Sequence, residues 1–176
     1  MRRLPPLRYT GAHLVAAFLG VSLWSAAAPS AAAATQCQTI TAVDDSVLVP
    51  PGPDCLSPVG FCAASDRVQG THGFRGTFFF QALAFEPIAS DPAGRLVVSG
   101  ISTFTTRDGT VTISDVSVFD PAPPQGSGTG PFSGIGRITS GTGRFAGAGG
   151  DVFTAGRTRE GGTAFTTNTT LEICFP

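Results

Sequence analysis

Asp108-Gly109 sits between two runs of β-favouring residues, Arg95–Arg107 and Thr110–Phe119. An Asp-Gly pair so placed is a strong hairpin signal, because a type I′ turn needs positive φ at both central residues. The spacing therefore predicts two paired antiparallel strands. Similar punctuation recurs along the chain. Phe74–Phe85 is dense in Phe, Thr and Leu, and Phe132–Thr139, Asp151–Thr158 and Thr163–Phe175 read as further strands. Glu160-Gly161-Gly162 turns between the last two, and Asp120–Gly130 is a Pro/Gly/Ser loop. No stretch shows a 3.6-residue apolar repeat, and Gly, Pro and Thr are too frequent for long helices. Many short strands with tight turns predict an all-β sandwich or barrel.

The N-terminus reads differently. Arg2, Arg3 and Arg8 precede an apolar run from Leu14 to Trp24, and small residues lead to Ala32-Ala33-Ala34. That order predicts a secretory signal peptide over residues 1–34, cleaved after Ala34. The run is shorter than the ~20 residues of a membrane-crossing helix, so no span is expected once the leader is gone. Residues 35–73 then read as an irregular segment with short strands, at Thr39–Val49 and Gly60–Val68, and a disulfide loop. Residues 74–176 read as the main part of the β-barrel. About 140 residues suffice for one core.

From Thr35 onward the chain has no Trp, Tyr, Met or Lys, and its one His is His72. Eight Arg stand against twelve Asp and Glu, a formal net charge of −4. The Arg are scattered, so no nucleic-acid partner is expected, since neutralising phosphates takes clustered cations. Stacking on sugars relies on Trp or Tyr, which join an apolar face to a polar tip. Aromatics that are all Phe suit a dry core or an apolar ligand.

Four Cys remain, and an even number in an exported chain predicts two disulfides. Three pairings are open. Six residues, with Pro58 and Gly60 among them, separate Cys55 from Cys62 and favour a local loop. Cys37 and Cys174 would then tie the two ends together. The spacing does not suit zinc, and neither a metal nor a cofactor is expected.

Gly141-Thr142-Gly143-Arg144-Phe145-Ala146 fits the letters of a dinucleotide-binding G-x-G-x-x-A. That motif must open a helix whose N-terminus receives the pyrophosphate. Here Gly147, Gly149, Gly150 and a β-like segment follow instead. Gly141, Gly143 and Gly147 therefore read as a structural turn. The segment Ile138-Thr139-Ser140-Gly141-Thr142-Gly143-Arg144-Phe145-Ala146-Gly147-Ala148-Gly149-Gly150 resembles the turn of allene oxide cyclase-like and dirigent-like barrels. The likeness is to small exported bacterial proteins with such a domain. It covers roughly residues 70–176, with Phe74–Phe85 and Thr163–Cys174 fitting the same plan. It implies an antiparallel eight-stranded barrel with an interior cavity. It implies little about activity, because one fold hosts many functions. No catalytic residues of the plant cyclases carry over.

Candidate site residues are few. Val111, Ile113 and Phe119 share a parity with Asp115. A barrel facing those inward points Asp115 and Ser117 inward too, where burial raises a carboxyl's pKa and fits it for acid, base or ligand contact. If Val116 and Val118 face the core instead, Asp115 is solvated. Glu86 ends a Phe-rich strand before Pro87, a position at a barrel mouth or at a solvated strand end. Arg137 shares a parity with Ile135; it either pairs with an inward carboxylate or shields the outer wall with its stem. His72 reads as a loop residue. Glu172 and Cys174 share an outward parity, which suits a bridge from Cys174 to an N-terminal segment. The reading these features favour is a secreted, non-enzymatic barrel that binds a small apolar ligand or an envelope partner. A second is an isomerase, a cyclase or a dirigent-type stereochemical guide using Asp115 or Glu86 with an Arg. A third is a structural or adhesive surface module, a homo-oligomer through an apolar outer face, since both parities of Phe74–Phe85 carry large apolar groups.

Overall fold

The computed structural model describes residues 36–176, apart from 92–93 and 121–128. The signal-peptide expectation and most of the Pro/Gly/Ser loop fall outside those residues. Eight antiparallel strands close a barrel in chain order. They are β1 (Gln36–Val49), β2 (Cys62–Gly70), β3 (Arg75–Pro87), β4 (Leu96–Thr106), β5 (Gly109–Phe119), β6 (Pro131–Gly141), β7 (Gly149–Arg159) and β8 (Ala164–Phe175). Closure joins the first strand to the last, from Gln36↔Phe175 to Val47↔Ala164. A closed barrel leaves no edge with unpaired backbone groups.

Two expectations change here. Residues 35–73 are not an irregular preface: β1 and β2 are full staves of the wall, and β1 carries the closure. The hairpin at Asp108-Gly109 forms, but not with a type I′ turn. Thr106 pairs with Gly109, so Arg107 and Asp108 occupy the loop. Gly109, already in β5, has φ 141°, whereas Asp108 has no positive φ. Gly109 is required by close approach, since a Cβ there would lie 2.0 Å from the Thr142 carbonyl oxygen.

Alternation along the strands builds the interior. β3 turns Phe78, Phe80 and Ala82 inward, then its register slips between Ala82 and Ala84. The slip leaves Leu83 exposed and brings Phe85 onto the core instead. Apolar groups on both parities of Phe74–Phe85 thus reflect a bulge, which re-aims side chains within one strand.

The core has two apolar layers at opposite ends of the barrel. One contains Ile40, Phe74, Phe104, Phe145, Leu171 and Ile173. The other contains Phe80, Val98, Phe132 and Phe165, with Phe61, Phe85 and Phe119 half-buried against it. Phe145 reaches the first layer from the 3₁₀ turn Gly143–Phe145, within the glycine-rich segment. That turn is fixed to the β4–β5 hairpin by Arg144, whose backbone N–H donates to the Asp108 carbonyl at 2.8 Å. The Arg144 guanidinium also lies 4.9 Å from the centre of the Phe145 ring.

Gly100, on β4, faces the second layer. A Cβ there would meet Phe80 Cε2 at 2.3 Å and the Gln81 carbonyl oxygen at 2.6 Å. Gly100→Ala is therefore expected to cost about 1–3 kcal/mol through overpacking. Urea denaturation measures it, and an unchanged midpoint would mean that the Phe80 ring is free to move.

Candidate functional site

Between the two apolar layers the inward positions turn polar. Asp44, Ser46, Ser65, Ser102, Thr167 and Thr169 are all buried. Cross-strand register places them, since Asp44 stands opposite Thr167 and Ala42 opposite Thr169 on the β1–β8 seam. On β5, Val111 and Ile113 are buried, and Asp115, Ser117 and Phe119 follow at the same parity. Val116 and Val118 face outward, 44% and 36% exposed. The two placements open for Asp115 thus resolve to the inward one.

Asp115 has glycine on both flanks, Gly100 on β4 and Gly136 on β6. A Cβ on Gly136 would come within 2.9 Å of the Asp115 Cβ, so glycine there is what admits the carboxyl. The Ser102 hydroxyl donates to Asp115 Oδ2. Oδ1 is buried and has no partner. Burial pushes the Asp115 carboxyl up from 3.8 to about 6, against the lowering effect of the Ser102 hydrogen bond.

Asp115 opens into a cavity of about 60 Å³. Phe61, Phe119, Phe132 and Phe165 wall one side, and Ser102, Asp115, Thr167 and Thr169 give it polar contacts. By that measure it holds several waters or a ligand of a few heavy atoms. Phe61 reaches the cavity from the loop closed by the Cys55–Cys62 disulfide. Ser57 Oγ accepts from the Phe61 N–H at 3.1 Å and donates to the Ala82 carbonyl at 2.6 Å, which pins the loop to β3.

Asp44 is a second inward carboxyl, only 5% exposed, with Oδ2 unpartnered. Burial, opposed by a hydrogen bond from Ser46 and assisted by the Asp45 charge, raises it from 3.8 to about 7. It also borders a cleft between β1 and β2, rimmed by Asp45, Asp66 and Arg67. Register slips there, between Asp44 and Val47. Sequence reasoning did not find Asp44. The signal was its parity with Ile40 and Ala42, masked by Val43, Val47 and Val49 on the other parity.

The other candidates do not join this site. Glu86 is exposed on the outer wall, because the slip before Ala84 puts Phe85 inside. Arg137 stands opposite outward-facing Ser114 and pairs with Asp151 at 3.5 Å on the surface, not with an interior carboxylate. His72 lies exposed in the turn Thr71–Gly73. Gly143 and Gly147 adopt φ of 58° and 75° in the β6–β7 connection, and Gly141 ends β6 against Phe145. The disulfides are Cys37–Cys174 and Cys55–Cys62. Cys37, Glu172 and Cys174 lie close enough to share an ion, but with both sulfurs bridged no thiolate is left to ligate one. Among the described residues no helix is long and apolar enough to cross a membrane. On the outside, Val116, Ile135 and Phe153 align across β5, β6 and β7 as an exposed apolar row.

No family model matches the chain, and no curated protein or solved structure matches it either.

Proposed function

We propose that the protein is an exported binding barrel that takes a small, mainly apolar molecule into its interior, with Asp115 fixing the molecule's polar end. One observation carries this reading: a buried, unpartnered carboxyl oxygen faces a phenylalanine-walled cavity. Buried polar atoms in folded proteins nearly always have partners. An apolar pocket with a few convergent polar groups is the usual form of a small-molecule site. Export is supported by the two disulfides, which persist in oxidising compartments. Kinship with allene oxide cyclase-like barrels is part of the proposal and rests on the Ile138–Gly150 sequence.

Native mass spectrometry of the exported, disulfide-bonded protein tests the reading. A small bound mass is expected, and Thr154→Phe, which fills the cavity wall, is expected to remove it. No bound mass, together with no NMR shift of cavity residues on adding isobutanol, isobutylamine or isobutyrate, overturns the proposal.

The Asp115 carboxyl near 6 also favours a second reading, an isomerase in which it moves a proton. A group titrating close to neutral pH holds both protonation states ready. In that case Asp115→Asn abolishes turnover of the bound compound.

A further inference from the structure

The cavity's charge content is one-sided. Among the described residues every Arg is exposed except Arg159, which is half-buried and pairs with Asp45 at 2.9 Å on the outer surface. His72 is exposed in its turn. Residues 92–93 and 121–128 contain no basic side chain. Among the described residues the interior therefore presents two carboxyls, a set of hydroxyls and phenylalanine rings, and no cation.

Hydroxyl donors are not what the site lacks. Ser102 already donates to Asp115, and Ser117, Thr154, Thr167 and Thr169 line the same cavity. What none of the described residues supplies is positive charge. A carboxylate in an apolar site without a counter-charge is costly, and an ammonium group provides both the charge and the N–H donors that Asp115 Oδ1 lacks. Aromatic faces attract cations as well. Resting on the binding role proposed above, we infer that the ligand is a small aliphatic or aromatic amine, its ammonium group held by Asp115 and its apolar body among the phenylalanines. An acceptor-only ligand, such as a carboxylate or a ketone, has no hydrogen for Oδ1, meets it only once the carboxyl is protonated, and does not offset its charge.

Proton linkage gives this assignment a signature. The neighbours that face Asp115 from β4 and β6 are Ser102, Gly100 and Gly136, none of them titratable. Across the cavity stand Ser46, Thr154, Thr167 and Thr169. Asp44 is the other buried carboxyl on a strand, and the buried Asp91 side chain, between β3 and β4, pairs with Arg95. An ammonium ligand binds the ionised carboxyl, so its affinity falls by roughly tenfold per pH unit below the Asp115 transition. A neutral ligand of the same shape shows no such fall.

NMR titration of the disulfide-bonded protein with isobutylamine, isobutanol and isobutyrate reads this directly. At pH 7 isobutylamine is expected to bind at least about tenfold more tightly than isobutanol, roughly the value of a charge-assisted hydrogen bond. Isobutyrate is expected to bind weakest. Between pH 6 and pH 5 the advantage of the amine shrinks, and Asp115→Asn brings the amine down to the level of the alcohol. The wild-type pH series carries the test even if that variant folds poorly. Isobutanol binding as well as isobutylamine at pH 7 overturns the amine assignment and leaves the binding role standing. Failure of all three probes removes both.

Discussion

Replacing Cys37 and Cys174 together by Ala is expected to lower the unfolding free energy by up to about 5 kcal/mol. The bridge joins residues 137 apart in sequence. In the chain-entropy account a cross-link acts mainly on the unfolded chain, and more so for a longer loop. Cys55–Cys62 closes a loop of separation 7, worth about 2 kcal/mol on the same basis. The two double variants should therefore differ clearly in denaturant midpoint under identical conditions without a reducing agent. The first bridge has a structural consequence too. Cys37 and Cys174 stand directly opposite each other on the β1–β8 seam, near the outer end of the closing strand pair. Without the bridge the seam keeps its ladder, from Gln38↔Ile173 to Val47↔Ala164, but loses the covalent link that holds the chain ends in register. Hydrogen exchange should accelerate first in that part of the seam. Equal losses from the two double variants would show that loop length is not the source of the stabilisation.

The same seam marks the limit of what the residues announce. Strands β3 to β8 were legible because their boundaries are set by local chemistry, such as Asp108-Gly109 and Glu160-Gly161-Gly162. Pairing of β1 with β8 is non-local, and no nearby turn signals it; β1 instead runs into Pro50-Pro51-Gly52-Pro53 and reads as a short strand. Asp115 stood at one of two placements because Val116 and Val118 offered the opposite parity as a core face. Register settles the matter: Val116 stands opposite Ile135 and Ile135 opposite Phe153, an exposed row outside, while Val111 and Ile113 pack within. Glu86 was open between a barrel mouth and a solvated strand end, and the slip in β3 decides for the exposed position. A single bulge residue inverts the facing of everything after it, and alternation alone does not reveal where the slip falls. The cavity was legible only as an implication of family resemblance, because it depends on the facing glycines Gly100 and Gly136 beside Asp115, which come from different strands.

Asp44→Asn is expected to stabilise the protein at pH 8 by up to roughly 4 kcal/mol, and by little at pH 4. The sign follows from its environment. Its carboxyl titrates at 3.8 when unperturbed and at about 7 in the fold, chiefly because it is buried. Between those values the folded state binds the proton more tightly than the unfolded state. This contribution to stability is fully present below pH 3.8 and is lost as pH rises through about 7. Asp115, raised to about 6, adds a smaller loss of the same sign, complete near pH 6. Surface pairs such as Arg159–Asp45 and Arg137–Asp151 are present in both proteins and drop out of the difference. An amide at position 44 keeps the shape and the polar contact with Ser46 while removing the charge. Urea denaturation of both proteins at pH 4 and pH 8 therefore isolates Asp44. A gain confined to pH 8 shows that burial penalises the ionised carboxyl at position 44. An equal effect at both pH values would mean that water reaches Asp44 through the β1–β2 cleft and solvates its charge, and the interior would then be wetter on that side than its walls suggest.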